Sequence, residues 1–291
     1  MNDSALHKYK KTVHMDTVVI RTLAFLAAGI ALIILFGIIG YVFSRGLPAI
    51  NWTFLSTEPS ILEQTYGIAP MILNTVYITA LSLLIILPVG IGGAIYLSEY
   101  SKQGKFLSVI RFTTEIMSGI PSIVYGLFGA LFFVQFFNMG YSILAGAFTL
   151  ALIVLPIIVR TTEESLKAVD LTYREAALSM GVNRLYTIRT ILLPCAMPGI
   201  IAAVILSMGR MVGESAALLQ TSGIDYQMTS DILTHYRNPG ATLSVQIYQN
   251  FTEPPPGMTD DAAFGIAAIL MLVVLTFNFL TYLVGKKMKK G

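Results

Sequence analysis

Six long, nearly uncharged stretches dominate the chain: 18–43, 71–97, 117–137, 141–159, 191–220 and 262–284. Each approaches or exceeds the roughly 20 apolar residues that carry a helix across a bilayer core of about 30 Å. In hydrocarbon such segments satisfy their backbone hydrogen bonds internally only as helices. The expectation is therefore an all-α, polytopic membrane protein with six transmembrane helices. Composition agrees, because 12% of the 291 residues are charged, against roughly 25% in a soluble domain. A net charge of +3 gives no reason to expect nucleic acid as a partner, and membrane lipid is the expected surrounding. The single Cys195 excludes an internal disulfide, and no C-x-x-C pair offers a metal site.

The gap Asn138-Met139-Gly140 between the third and fourth stretches reads as the turn of a helical hairpin. Lys8, Lys10 and Lys11 precede the first stretch, as in a secretion signal. That apolar run is about twice the length of a signal core and lacks an evident cleavage site, which predicts an uncleaved helix. If the six helices alternate, 15 of the 19 Lys and Arg residues fall on one side, and only Arg45 and Arg237 on the other. The positive side is expected to be the cytoplasm, with both termini in it. The cytoplasmic segments then carry +7 and the external ones −5. An acidic exterior does not draw in free anions, so delivery by a binding protein fits better than electrostatic funnelling.

Two external segments are long, 44–70 and 221–261. They are either surface-active elements or tolerated insertions. Trp52, near Phe54, suits an interfacial anchor. Residues 231–236 could form a short helix, His235 reads as a lone exposed histidine without metal-binding company, and Pro254-Pro255-Pro256 stiffens the return to the last helix.

The cytoplasmic segment 160–190 carries more information. Glu163 and Lys167, four apart, extend the fourth helix. Thr172 followed by Glu175 has the form of a capping box, and Gly181 supplies a C-terminal stop. Between them Leu171, Ala176, Ala177 and Met180 put small and apolar groups on a helix too short to be stable alone. It either lies on headgroups or docks on a protein; adjacent alanines favour close protein contact.

Glu175-Ala176-Ala177, three residues, Gly181, nine residues and Ile191-Leu192-Leu193-Pro194 resemble the EAA motif of ABC importer permeases at every specified position and spacing. The resemblance implies a type I importer permease with a MetI-like core. In that family the motif is a coupling helix seated in a groove of the ATPase. Glu175 would orient it, Ala176 and Ala177 allow close approach, and Gly181 turn the chain back. The chain then divides into 1–70 (amino-terminal tail, first helix, external loop), a five-helix core 71–284 containing the coupling loop 160–190, and a basic tail 285–291. No phosphate-binding loop exists, since Gly104-Lys105 is followed by Phe106 and lacks the preceding Gly. This chain is not expected to be an enzyme, and ATP and Mg would be used by a separate ATPase, with no cofactor bound here.

Arg210 and Glu214 lie four residues apart in the fifth stretch and would share one helical face. A charge there costs at least ~2.5 kcal/mol on insertion scales and faces a partner or cavity. The two either neutralise each other as a packing pair or line an anion path, where a guanidinium offers two parallel hydrogen bonds to an oxyanion. The runs 209–219 and 120–129 resemble the permeases of phosphate-specific ABC importers, the PstA subunits more than their PstC partners. Ser215 and Ala217 depart from that family's more usual Thr and Pro. The resemblance implies that Arg210 and Glu214 belong to the phosphate path. It also implies a homologous PstC-like permease, two PstB-like ATPase subunits and a PstS-like phosphate-binding protein.

Pro121-Ser122 is either a helix start or a polar opening facing the pore, and Pro156, Pro194 and Pro198 are kinks or helix entrances. Sulfate or molybdate transport and an ATP-independent channel are the alternatives. Gly213-Glu214-Ser215-Ala216-Ala217 lacks the second Gly of a nucleophile elbow, and no His lies within a span, which argues against an intramembrane hydrolase.

Overall fold

The computed structural model describes residues 3–60, 65–102, 104–226, 234–253 and 260–288. The first element, α1 (Asp3–Gly46), is exposed over nearly its whole surface from residue 17 onward. It meets the rest of the chain mainly at its C-terminal end, where the Tyr41 ring stands edge-on to Phe264 at 5.4 Å. Arg45 pairs there with Asp261 at 3.0 Å. Gly46 is needed at this crossing, because a Cβ would overlap the Phe264 carbonyl.

The short helix α2 (Trp52–Ser56) is capped by Asn51, whose Oδ1 accepts the Phe54 N–H at 2.8 Å. Trp52 is 81% exposed and Phe54 is buried. A two-residue ladder follows, pairing Pro59 with Tyr66 and Ser60 with Thr65. The helix α3 (Ala69–Ile95) passes through Pro88 and ends in a wide turn over Tyr96–Tyr100. Next come α4 (Lys105–Gly119) and α5 (Ser122–Gly129), the latter prolonged to Phe136.

The turn expected at 138–140 is present, with positive φ at Asn138 and Gly140. Beyond it, α6 (Ile143–Lys167) is capped by Ser142. Two short helices follow, α7 (Leu171–Ser179) and α8 (Arg184–Thr187). The remaining elements are α9 (Leu193–Val212), α10 (Ala216–Leu219), α11 (Leu243–Thr252) and α12 (Asp260–Met288).

The centre of the bundle is α6, whose Ile143, Leu150, Ile158 and Leu166 are fully buried between α3 and α9. Lipid tails are as apolar as leucine, so close packing rather than escape from water holds such helices together. The crossings accordingly use small residues. A Cβ on Gly90 of α3 would meet Ile158 at 2.5 Å, and one on Gly199 of α9 would overlap the Ser165 hydroxyl of α6. A second apolar cluster joins Phe54, Ile68, Met71, Leu243, Ala262, Ile266 and Ile269 at the α11 end of the bundle.

Two expected spans are interrupted. The stretch 117–137 is not one helix, because α4 ends at Gly119 and α5 leaves it at 102°. Pro121 holds Ile120 extended (φ −71°, ψ 131°) and so stops the ladder. The stretch 191–220 breaks at Gly213–Ser215, between α9 and α10. Five helices among the described residues are long and apolar enough to cross a membrane, and the bent α4–α5 pair, counted as one span, makes six.

Candidate functional site

The two breaks lie against each other. Gly126 of α5 packs on α10 so closely that a Cβ would stand 2.8 Å from the Ala217 Cα. The Tyr125 hydroxyl reaches back over the first break and donates to the Met117 carbonyl at 2.8 Å. Pro121 is extended (φ −60°, ψ 141°) and exposed, and Ser122, half-buried, begins α5. Irregular backbone at membrane depth is tolerated where it is buried in protein or lines a cavity.

Arg210 and Glu214 do not share a helical face. The α9 ladder closes with Gly213 N–H on the Gly209 carbonyl at 3.3 Å, and the Glu214 N–H reaches only Met211 at 3.2 Å. Glu214 is 9% exposed. Its Oε1 accepts the Ala217 N–H at 3.2 Å, capping α10. Its carbonyl accepts the Ser244 hydroxyl of α11 at 2.8 Å. Arg210, in the last turn of α9, is exposed, and no salt bridge joins it to Glu214. The expected pairing fails because Gly209 and Gly213 weaken the helix, and an orphan N–H at the next helix start takes the carboxylate.

At the opposite end of the bundle α7 stands out from the core. Its N-terminus is capped by Asp170 rather than by Thr172. The Asp170 carboxylate accepts the Thr172 N–H and hydroxyl, both at 2.9 Å. Those bonds hold its pKa below the ordinary value of 3.8. Thr172 is thereby the second residue of the helix rather than its cap, and the expected capping box is not formed. Gly181 does end the segment, with φ +75° and the Val182 N–H on the Ala177 carbonyl at 3.1 Å. Glu175 and Ala176 are exposed, whereas Ala177 is 4% exposed and faces its own bundle. Leu171, Tyr173 and Met180 add exposed apolar surface, 63%, 53% and 82%. Lys167 bonds Glu163 at 2.6 Å as expected, and Arg111 of α4 shares the same carboxylate at 3.0 Å.

The segment 221–261 is not simply a surface loop. In it α11 is largely buried, with Leu243 and Val245 at 0% and Gln246 at 2% exposed. His235 is buried too, contrary to expectation, and its Nε2 lies 2.7 Å from Asn74 Oδ1. Residues 231–233 of the short helix expected there, and the proline run, lie outside the described residues; a single 3₁₀ turn spans His235–Arg237. Sequence reasoning missed Tyr125, Ser244 and α11. The one local signal for α11 was Thr242, which caps it by accepting the Val245 N–H at 3.3 Å.

A helical bundle with two clamped helix breaks and a projecting segment with exposed apolar side chains defines a class, the polytopic membrane permease. Residues 88–290 match the family described as binding-protein-dependent transport system inner membrane component, and the chain belongs to it. It is thus a multi-pass ABC importer permease subunit, and membership implies an ATPase and a substrate-binding protein as partners. Among curated proteins it is similar to the probable ABC transporter permease protein YqgI of Bacillus subtilis (strain 168). The two are 37% identical over 267 residues, 87% of this chain and 89% of the relative. It is also 35% identical over 258 residues to the phosphate transport system permease protein PstA of Pasteurella multocida (strain Pm70), 88% of this chain and 90% of that one. Its fold resembles a chain of the inward-facing MetNI methionine ABC transporter, with a TM-score of 0.57 at 18% identity over 80% of this chain and 99% of that one. It also resembles a chain of a bacterial ABC transporter for the acidic polysaccharide alginate, with a TM-score of 0.62 at 16% identity over 96% and 99%.

Proposed function

We propose that this chain is the PstA-like permease half of an ATP-driven phosphate importer. The α7 end faces the cytoplasm, where α7 seats in a groove of a PstB-like ATPase. A homologous, PstC-like permease covers the Arg210 face, and a PstS-like binding protein delivers phosphate at the α11 end. ATP-driven closure of the ATPase pair moves the docking helices and switches access from outside to inside. ATP and Mg belong to those subunits, and this chain contributes path and linkage.

The observation that carries this reading is the exposed Arg210 guanidinium beside the two clamped breaks. Against lipid, such a charge is costly by about 2.5–3.5 kcal/mol on insertion scales. A second permease and an aqueous path remove that cost. Guanidinium stays ionised at physiological pH and matches the geometry of a tetrahedral oxyanion. Glu214, occupied with the Ala217 N–H, leaves the guanidinium free for the anion. The choice of phosphate is supported by the names of the PstA relatives.

Uptake of radiolabelled phosphate, sulfate and molybdate in a strain lacking this chain, with and without its restoration, tests the proposal. Restoration is expected for phosphate alone, and only with an active ATPase. Restored sulfate or molybdate uptake instead would assign another oxyanion, and accumulation with the ATPase inactivated would mean a channel.

A further inference from the structure

A buried charged contact fastens α7 to the bundle, and none of the roles above uses it. Glu99, in the wide turn that closes α3, is 7% exposed, and the Arg174 side chain of α7 is 19% exposed. Arg174 Nη2 donates to Glu99 Oε1 at 2.8 Å and to the Leu166 carbonyl in the last turn of α6, also at 2.8 Å. Its Nε is buried without an acceptor. Past the Gly181 turn, the Arg184 guanidinium lies 5.0 Å from the centre of the Tyr100 ring. The projecting segment is therefore tied to α3 on both sides of its turn, through the neighbours Glu99 and Tyr100. Among the described residues no other ion pair has both side chains this enclosed.

The far end of α3 is gripped as well. Asn74 Nδ2 donates to the Ala241 carbonyl at 3.0 Å, and Asn74 Oδ1 lies 2.7 Å from His235 Nε2. Thr75 Oγ1 accepts the Leu243 N–H at 3.0 Å. One helix thus joins a polar grip at the α11 end to an enclosed ion pair at the α7 end. An enclosed pair stripped of one member leaves an unpaired buried charge, so the contact holds or fails as a unit.

We propose that the Glu99–Arg174 pair is the positioning contact through which α7 moves α3, delivering the ATPase stroke to the segment around His235 and Leu243. This rests on the importer reading. Both residues act through others and touch no cargo.

The test uses the assembled complex, comparing Glu99→Gln, Arg174→Gln and the exchange Glu99→Arg with Arg174→Glu. Each single variant is expected to lower ATP-driven phosphate uptake at least about fivefold, while complex recovery and basal ATP hydrolysis stay within about twofold. The exchange is expected to restore at least about half of the uptake, since it rebuilds the pair in reverse but loses the bond to Leu166. Unchanged uptake in both single variants would overturn the proposal. So would uptake that falls only in step with complex recovery, or a loss that the exchange leaves uncorrected. Wild-type uptake decides the importer reading by itself, so the differences among variants bear on this contact alone.

Discussion

Replacing Gly126 with alanine probes the clamp between the two helix breaks. The added Cβ would stand 2.8 Å from the Ala217 Cα and 3.4 Å from the carbonyl oxygens of Ala216 and Ala217. Carbon atoms rest about 3.5–4.0 Å apart, so α5 and α10 must separate by roughly 1 Å. The obstructing atoms are backbone, and no rotamer change relieves them. Overpacking of this kind costs about 1–3 kcal/mol. In a chain of this size 2 kcal/mol corresponds to a midpoint roughly 4–8 °C lower. The separation also disturbs the Tyr125 hydroxyl, which bridges the first break to the Met117 carbonyl. Thermal melting of the purified complex and initial rates of phosphate uptake read the two effects.

Gly92→Ala is the matched control. Gly92 also lies within a helix, α3, but a Cβ there meets nothing within 4 Å. Exchanging a helical glycine for alanine is favourable by roughly 0.5–1 kcal/mol where space permits. The control should therefore melt at or slightly above the wild-type midpoint with normal uptake, and Gly126→Ala should fall below it in both measurements. A Gly126→Ala complex that melts and transports like Gly92→Ala would refute the clamped geometry.

The remaining predictions concern the path, the docking helix and the α11 end. Arg210→Gln should abolish phosphate uptake while the complex assembles normally, and Arg210→Lys should retain part of it, because a point charge lacks the bidentate fork. Wild-type uptake in Arg210→Gln would reject the path role and leave Arg210 a packing residue. Ala176→Asp puts a charge on the exposed face of α7, and Gly181→Asp puts a side chain at φ +75°, where the backbone penalty is roughly 1–2 kcal/mol. Both should uncouple uptake from ATP hydrolysis, and normal uptake with normal complex recovery in both would contradict the docking role. Burial lowers the His235 pKa below its ordinary 6.5, with Asp225 opposing the shift. The unfolded segment then binds the proton more readily than the folded one, so this stability is complete above pH 6.5 and is lost as pH falls through the depressed folded value. Amide-exchange protection across 234–253, taken relative to the intrinsic rate at each pH, should fall between about pH 7 and pH 5, and His235→Gln should flatten the difference. An equal loss of protection in both proteins would place the pH response elsewhere.

What could be read from sequence depended on whether the relevant physics is local. A helix in lipid must be apolar for some 20 residues, so the bundle was legible, and so was the Gly181 stop, which needs only a left-handed residue at a helix end. The i, i+4 rule placed Arg210 beside Glu214 because it presumes an unbroken helix. The break depends on Ala217 and Ser244 taking up the Glu214 carboxylate and carbonyl, and Ser244 lies 30 positions away. The 102° bend shows the same division. Pro121 advertises a possible stop, but the direction of α5 is held by Gly126 against Ala217 and by Gly129 against Thr149 and Thr221. Helix α11 stayed hidden because Ser244, Gln246 and Asn250 give its buried face no apolar period. A polar face enters a membrane-protein interior only where partners await it: Ser244 finds the distant Glu214 carbonyl, and Gln246 donates to Asn250 within α11 itself. The places where local rules fail are where distant elements supply hydrogen-bond acceptors and donors, and Arg210 stands at one of them. The proposed anion path there would draw on several segments, which is why the Arg210 charge was visible in the sequence and the geometry around it was not.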